Sequence, residues 1–196
     1  NAACTFCPYP TLERIGTKMP DELIERLIGE MATFKKPFAF APFKVNEPFL
    51  DKRLIPICEY FNDNVPLGAL RLFTNGSALT DDNIEGVAGL RRVHHLWISL
   101  NEYREKEYQD LMGIPFERTA KRLDRLHSLY FPHPVVLSCV GFPNEEFRHY
   151  CYERWPKFQS LAIQKSAWLG FTDSQVTEVP DAPCSRWFEL SVMANG

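Results

Sequence analysis

Residues 69–76, Ala69-Leu70-Arg71-Leu72-Phe73-Thr74-Asn75-Gly76, decide the fold. Their first five residues predict a short buried strand, and Asn75-Gly76 is a turn signal that ends it. Similar apolar stretches alternate along the chain with amphipathic helical patterns, which is typical of repeated βα units around a parallel sheet. We therefore predict an α/β fold with parallel strands.

Four further strands are predicted on either side of this one, over residues 38–43, 94–100, 135–140 and 160–165. The first helix is predicted to begin after Pro20, with two acidic residues in its first turn and apolar residues on one face as far as Met31. Thr80 is a good N-cap for a helix over residues 81–88. Further helices are predicted over residues 52–62, 116–130 and 144–154.

Composition argues against several classes of function. The chain has 196 residues and 45% hydrophobic content, which is enough for one sizeable core. Its 22 Lys and Arg against 25 Asp and Glu give a formal net charge of -3, so we expect no nucleic-acid partner. No apolar stretch approaches the length of about 18 residues that crosses a bilayer, so we expect no membrane partner. Six scattered cysteines favour a reducing cytoplasm over a disulfide scaffold.

Two cysteines stand near the start of the sequence, in Cys4-Thr5-Phe6-Cys7. Thiols at this spacing occur in iron–sulfur sites, zinc sites and thioredoxin-like redox pairs, and also as structural cysteines. A zinc site would need a second close pair of Cys or His, but the other four cysteines are isolated from one another. A thioredoxin-like site would need a strand upstream of the pair. The pair alone leaves these alternatives open.

Polar residues stand at or directly after the ends of three of the predicted strands. They are Lys44-Val45-Asn46-Glu47-Pro48, then Thr74-Asn75-Gly76, then Ser99-Leu100-Asn101. In parallel α/β sheets and barrels ligands bind at the carboxyl ends of the strands, so these segments are expected to form one site. Glu47 has a second interpretation, as a solvated loop carboxylate or as a cap of the helix that begins near Lys52.

Together these segments resemble the radical S-adenosylmethionine (radical SAM) enzymes. A cysteine directly before Asn1 would complete the CxxxCxxC motif of that family. Residues 44–48 resemble its Gly-Gly-Glu-Pro motif with Val45 and Asn46 in place of the glycines, and the two later segments are similar to its loops at the next strand ends. The resemblance implies a partial (β/α) barrel of parallel strands, open on one side, with the first strand missing. The strand over residues 38–43 should then lie at an unpaired edge.

The resemblance also implies which residues bind the cofactor. Glu47 would hold the methionyl amino group, Ser99 and Asn101 would contact the methionyl carboxylate and ribose, and Phe6 would lie beside adenine. These residue types fit, because a carboxylate accepts hydrogen bonds from an ammonium, while a hydroxyl and an amide can satisfy a carboxylate and ribose hydroxyls. The full set of cofactor-binding candidates is Phe6, Asn46, Glu47, Asn75, Ser99 and Asn101.

The C-terminal residues resemble the opening of a SPASM-type extension, a cysteine-rich module that carries auxiliary iron–sulfur clusters in one branch of the family. Pro183-Cys184-Ser185-Arg186-Trp187 leads there into Asn195-Gly196. By this resemblance Cys184 joins Cys4 and Cys7 as a metal-ligating candidate, and the alternative is a buried thiol. We expect residues 1–172 to form the radical SAM core, residues 173–196 to begin the extension, and the chain to be cropped at both ends.

The function implied by the resemblance is reductive cleavage of S-adenosylmethionine at a [4Fe–4S] cluster. The 5'-deoxyadenosyl radical would abstract hydrogen from a peptide or a small sugar-like substrate, with flavodoxin or ferredoxin as electron donor. Such an enzyme is an oxidoreductase or maturase, and the chain as it stands is expected to be inactive because it has two of the three thiolates. The competing hypothesis is a non-catalytic iron–sulfur or zinc protein that uses Cys4, Cys7 and Cys184 for structure or electron transfer.

Overall fold

Five parallel strands form one sheet in which they stand in sequence order. The computed structural model describes residues 2–7, 16–44, 46–140, 145–163 and 189–194. The strands are β1 (Phe38–Phe40), β2 (Gly68–Thr74), β3 (Val93–Ser99), β4 (Val135–Val140) and β5 (Gln159–Ile163). The predicted α/β fold is confirmed, and this order of strands is that of a partial (β/α) barrel.

The helices between these strands pack on one face of the sheet. Because consecutive strands are neighbours and parallel crossovers are right-handed, each crossover helix returns to the same side. Helix α1 (Asp21–Met31) precedes β1 and packs against α2. The helices of the crossovers are α2 (Leu54–Asn64), α3 (Asp81–Gly89), α4 (Glu105–Met112), α5 (Phe116–Ser128) and α6 (Glu145–Arg154). We call the opposite side of the sheet the inner face; it carries Arg71 and Phe73 of β2 and His95, Trp97 and Ser99 of β3.

The core lies between the sheet and the helices. Leu70 of β2 and Leu96 of β3 point to this side and are fully buried. Phe61 of α2 is also fully buried, and its ring centroid lies 4.7 Å from that of Phe40 and 6.2 Å from that of Phe38. One aromatic ring therefore holds the edge strand against the helical layer.

Local signals set several helix ends. Thr80 caps α3 as predicted, since its Oγ1 accepts a hydrogen bond from the N–H of Asn83 at 3.3 Å. Gly113 ends α4 with a left-handed backbone at φ 68°, which glycine adopts without strain. Within the described ranges, the helices are all too short or too polar to cross a membrane.

Some predicted boundaries were wrong. The first strand ends at residue 40 rather than 43, α2 covers Leu54–Asn64 rather than 52–62, and residues 164–165 of the last predicted strand lie outside the described residues. The longest helix ends at Ser128, because Leu129 adopts extended backbone; Tyr130 is therefore 93% exposed instead of facing the core. Helix α4 was not predicted, since a helix of eight residues shows little periodicity.

The edge position expected for the first strand is also found. Within the described residues β1 pairs with β2 alone, from Phe38 opposite Gly68 to Phe40 opposite Leu70. Its other side is a sheet edge, and its length of three residues limits the backbone that this edge exposes.

The start of β2 gives a direct test of packing. A Cβ built on Gly68 would collide with the ring of Phe61, whose Cε1 would be 2.9 Å away, whereas a Cβ on Gly29 of α1 meets nothing within 4 Å. We expect Gly68→Ala to destabilise the chain by about 1–3 kcal/mol through overpacking. Gly29→Ala, the matched control, should be neutral or stabilising by up to about 1 kcal/mol. Urea unfolding measures both, and equal effects of the two substitutions would contradict the close approach.

Candidate functional site

Polar side chains meet where β1, β2 and β3 end. Glu47 follows β1, Thr74 closes β2 and Asn101 follows β3. Because the strands are parallel, their carboxyl ends lie on the same side of the sheet, which we call the carboxyl edge. This edge is where the sequence predicts a ligand site.

Glu47 joins the end of β1 to the end of β2. Its Oε1 accepts hydrogen bonds from the Thr74 hydroxyl at 2.7 Å and from the Phe49 N–H at 3.3 Å. Its Oε2 accepts from the N–H of Asn75 at 2.7 Å. Glu47 is thus a cap, but of the 3₁₀ turn Pro48–Leu50 rather than of α2, and it is buried rather than solvated.

The charge of Glu47 has no cationic partner among the described residues, because none of the ion pairs there includes it. A carboxylate offers about four acceptor positions, so the three hydrogen bonds leave room for another donor. Burial raises the pKa of Glu47, and the hydrogen bonds from Asn75, Thr74 and Phe49 act in the opposite direction. An ammonium group would complete this arrangement.

Asn101 presents a second incomplete polar group. Its left-handed backbone at φ 66° directs its N–H to the carbonyl of Ser138 in β4, at 2.8 Å. Its Nδ2 donates to the sulfur of Met112 at 3.0 Å. The side-chain carbonyl Oδ1 is buried and finds no partner in the described part of the chain. An unsatisfied buried acceptor costs about 1–3 kcal/mol, so a ligand hydroxyl or N–H would bind favourably here.

The cysteine loop, residues 2–7, is attached to the end of α4. The N–H groups of Ala3 and Thr5 donate to the carbonyls of Met112 and Leu111, each at 3.0 Å. A Cβ on Gly113 would lie 3.3 Å from the Cβ of Ala3, which shows how closely the loop approaches the helix end. The thiol of Cys4 donates to the sulfur of Met112 at 3.5 Å. Met112 therefore lies between Cys4 and Asn101.

Cys4 and Cys7 lie in a tight turn, closed by a hydrogen bond from the Cys7 N–H to the Cys4 carbonyl at 3.0 Å. Burial, reinforced by Cys7, raises the pKa of Cys4 to about 11, so binding a metal there would release a proton. The described ranges contain no group of three or more His, Cys, Asp or Glu placed to hold a metal ion. The two half-buried thiols fit two of the thiolate positions that a [4Fe–4S] cluster requires.

The predicted site residues take different positions. Cys4, Glu47, Ser99 and Asn101 lie at or beside the carboxyl edge. Asn75 lies there too, but its side-chain oxygen accepts from the N–H and hydroxyl of Ser77, at 3.0 and 2.7 Å, and its backbone N–H is the group that holds Glu47.

Two predicted residues, Phe6 and Asn46, are not joined to this network by the hydrogen bonds of the described residues. Phe6 is half-buried and packs against the core. Asn46 is exposed. Cys184 lies outside the described residues, so its metal-ligating role stays a prediction, as do the ligand-binding roles of the other candidates.

Sequence reasoning missed three members of the site: Thr74, Tyr108 and Met112. Thr74 carries a hydroxyl at a strand end, which is a sequence signal of a ligand site, but only its neighbour Asn75 was taken as a candidate. Tyr108 and Met112 are four residues apart, so they lie on the same face of a helix, and this spacing is the sequence signal that could have indicated the buried face of α4. The Tyr108 hydroxyl bonds that of Thr119 at 2.9 Å; burial raises its pKa to about 12, and the nearby Cys4 and Glu47 add to the shift.

The raised pKa of Glu47 predicts a pH-dependent stability. Between the ordinary value of 4.5 and the raised one, the folded chain holds a proton that the unfolded chain has released, so stability present below 4.5 is lost as the pH rises through the folded pKa. We expect the free energy of unfolding of the wild type to fall, relative to that of Glu47→Gln, as the pH rises from about 4 to about 8. Urea unfolding across this range measures it. Glu59→Gln, on the exposed side of α2, is the matched control for the loss of a carboxylate. A difference between the wild type and Glu47→Gln that stays constant with pH would contradict the shift.

Comparison with solved structures gives proteins that share this fold. Streptococcus suis SuiB bound to the precursor peptide SuiA matches with a TM-score of 0.66 and 18% identity, over 89% of this chain and 39% of that one. TYW1 with a lysine-pyruvate adduct matches at 0.52 and 19%, over 78% and 57%. The protein anSMEcpe with bound AdoMet and Kp18Cys peptide matches at 0.51 and 16%, over 83% and 47%. At such identities the likeness shows the fold alone.

This chain spans about two fifths of the length of SuiB. Comparison with curated proteins found no match. A family comparison matches residues 1–150 of the 196, which include the cysteine loop, Glu47, Asn75, Ser99 and Asn101. The chain therefore belongs to the Radical SAM superfamily.

Proposed function

We propose that this chain is the S-adenosylmethionine-binding part of a radical SAM enzyme that acts on a peptide. The observation that carries the proposal is Glu47, a buried carboxylate fixed by three neutral donors and left without a cation by the described residues. Its position after β1 is that of the family motif that binds the methionyl amino group. Burying a carboxylate costs free energy, and a loop carboxylate without a ligand would have no cationic contact to offset that cost.

Each polar group at the carboxyl edge has a role in this proposal. Glu47 binds the methionyl ammonium, and Thr74 and the Asn75 N–H hold its carboxylate in the required orientation. Asn101 accepts a ribose hydroxyl at its unpartnered Oδ1. Ser99, at the end of β3, binds the methionyl carboxylate, Asn46 lies beside the amino group, and Phe6 lies beside adenine.

Cys4 and Cys7 would hold two irons of a [4Fe–4S] cluster, with a third cysteine expected directly before Asn1. Such a cluster would supply the electron for reductive cleavage of S-adenosylmethionine. The contribution of the chain is to fix the thiols next to the nucleoside site, and α4 does so through Met112, which touches both Cys4 and Asn101.

A peptide substrate is supported by two structural neighbours above a TM-score of 0.5. SuiB is bound to the precursor peptide SuiA, and anSMEcpe to the Kp18Cys peptide. A small sugar-like alcohol is the second substrate class that we retain. The electron donor is proposed to be flavodoxin or ferredoxin, and the reducing cytoplasm in which such donors act agrees with the scattered cysteines.

We further propose that residues 173–196 begin a SPASM-type extension, with the core over residues 1–172, and that Cys184 is a ligand of an auxiliary iron–sulfur cluster in the full-length protein. The support for this is the sequence pattern around Cys184 and Asn195-Gly196.

A structural or electron-transfer metal protein is the alternative. It would account for Cys4 and Cys7, but it does not explain why the described residues leave Glu47 without a cation and the Oδ1 of Asn101 without a donor. Binding of S-adenosylmethionine discriminates between the two, since a purely structural metal protein should show none.

We therefore predict that Glu47→Gln weakens S-adenosylmethionine binding to a chain that is extended upstream of Asn1 to include the third cysteine and is reconstituted with iron and sulfide. A charge-assisted hydrogen bond is worth about 1.5–3 kcal/mol, so the dissociation constant should rise by about tenfold or more. Isothermal titration calorimetry measures this change. Glu59→Gln removes a carboxylate from the exposed side of α2 and should leave the affinity unchanged. Equal affinities of wild type and Glu47→Gln would contradict the proposed role of Glu47.

A second prediction concerns the cluster. Two thiolates cannot hold three corners of a cubane, so we expect 5'-deoxyadenosine only from a chain extended upstream of Asn1 that includes the third cysteine. Both chains are reconstituted with iron and sulfide, then given dithionite and S-adenosylmethionine, and the product is quantified by chromatography. Turnover by the 196-residue chain would show that the cluster ligands are misassigned.

A further inference from the structure

Within their described bounds, the five strands contain a single side chain with a full charge, that of Arg71. Their 28 residues include no Lys, Asp or Glu, and the histidines of β3 are the other titratable groups besides Cys139. Arg71 stands in the middle of β2 on the inner face, and its side chain is exposed. None of the ion pairs among the described residues includes it.

The register places His95 of β3 directly beside Arg71. His95 is only 9% exposed, and its ring packs against those of Phe73 and Trp97, with centroids 5.6 and 5.5 Å away. Its Nδ1 shares a hydrogen bond with the Nδ1 of His94 at 2.8 Å. Its Nε2 is buried and has no partner in the described part of the chain.

His95 is neutral at physiological pH. Burial is the main cause, and the neighbouring His94 and Arg71 reinforce it, so that the pKa of His95 is lowered to about 4. A neutral imidazole has one N–H and one acceptor nitrogen. When His94 donates to the Nδ1 of His95, the Nε2 of His95 carries the proton and becomes a donor without an acceptor.

Arg71 therefore offers donors, and in this tautomer His95 offers another beside them; among the described residues neither side chain has an acceptor. A carboxylate has oxygens enough for both, and an Arg guanidinium is the side chain best suited to it. The next layer of the inner face is aromatic: Phe73 and Trp97 are register partners with ring centroids 5.8 Å apart, and Phe43 lies 5.0 Å from Phe73. The Trp97 N–H is already occupied by the Ser138 hydroxyl at 2.7 Å, so this layer offers an apolar surface.

We propose that Arg71 and His95 form a binding subsite on the inner face for a carboxylate carried by an aromatic or apolar group. The subsite is separate from the carboxyl edge, because His95 precedes Ser99 by four residues, or about 13 Å along β3. The carboxylate contacts the guanidinium of Arg71 and the Nε2–H of His95, and its apolar carrier packs on Phe73 and Trp97. That this carboxylate belongs to the substrate rests on the proposed function; the anion binding itself does not.

The test uses the full chain and benzoate as the probe, with benzamide as its uncharged isostere. NMR of the histidine side-chain nitrogens reports the state of His95 Nε2, and titration gives the dissociation constant. We expect benzoate, and not benzamide, to shift this resonance. Arg71→Gln should weaken benzoate binding by about tenfold or more, as loss of a charge-assisted bond does. His95→Phe keeps a ring in the aromatic cluster and should also weaken it, while Arg118→Gln, on the exposed side of α5, should not.

Absence of benzoate binding, or binding that neither Arg71→Gln nor His95→Phe changes, would overturn the subsite. An acetylated and amidated Phe-Asp dipeptide tests the source of the carboxylate: tighter binding than benzoate favours a peptide side chain, and weaker binding favours a small-molecule acid. S-adenosylmethionine binding is measured in parallel on the iron- and sulfide-reconstituted chain extended upstream of Asn1, and benzoate binding is measured on that chain as well. Absence of S-adenosylmethionine binding with intact benzoate binding would count against the proposed function alone. The reverse result would count against the subsite alone.

Discussion

The carboxyl edge depends on the carboxylate of Glu47. Its hydrogen bonds to the Thr74 hydroxyl and the Asn75 N–H tie the loop after β1 to the end of β2. The same group caps the 3₁₀ turn through the Phe49 N–H. These neutral donors do not compensate fully for burial, and the pKa of Glu47 stays raised. The site thus fixes a buried carboxylate that has no cationic partner among the described residues, an arrangement that suits the ammonium ligand that we propose.

Helix α4 connects the carboxyl edge to the cysteine loop. Two backbone hydrogen bonds connect the loop to the last residues of α4, and Gly113 allows the chain to turn away without a side chain in the gap. The sulfur of Met112 contacts both the thiol of Cys4 and the amide of Asn101. A polarizable thioether suits this position, because it can accept from two weak or neutral donors without a charge of its own. The thiols and the nucleoside candidates are thereby joined through one buried side chain.

The two faces of the sheet serve different purposes. The face toward the helices is filled by aliphatic residues such as Leu70 and Leu96, and it supplies the stability of the fold. The inner face receives no crossover helix, since the strands follow one another in sequence order. Arg71 and His95 can therefore occupy its middle without being enclosed by helices, and the one full charge within the described strands, that of Arg71, stands where a ligand can reach it.

The sequence alone determined the α/β class, the five strands and the position of Glu47, Asn75, Ser99 and Asn101 after strand ends, because these follow from local periodicity and turn signals. Tertiary structure decided what local patterns do not contain. Helix α4 is too short to show a period, and its buried face exists only through contacts with the cysteine loop and Asn101. The end of α5 before Tyr130, the burial of Glu47 and the pairing of Arg71 with His95 all depend on residues distant in sequence. Such contacts arise from packing and register, which no stretch of the chain specifies by itself.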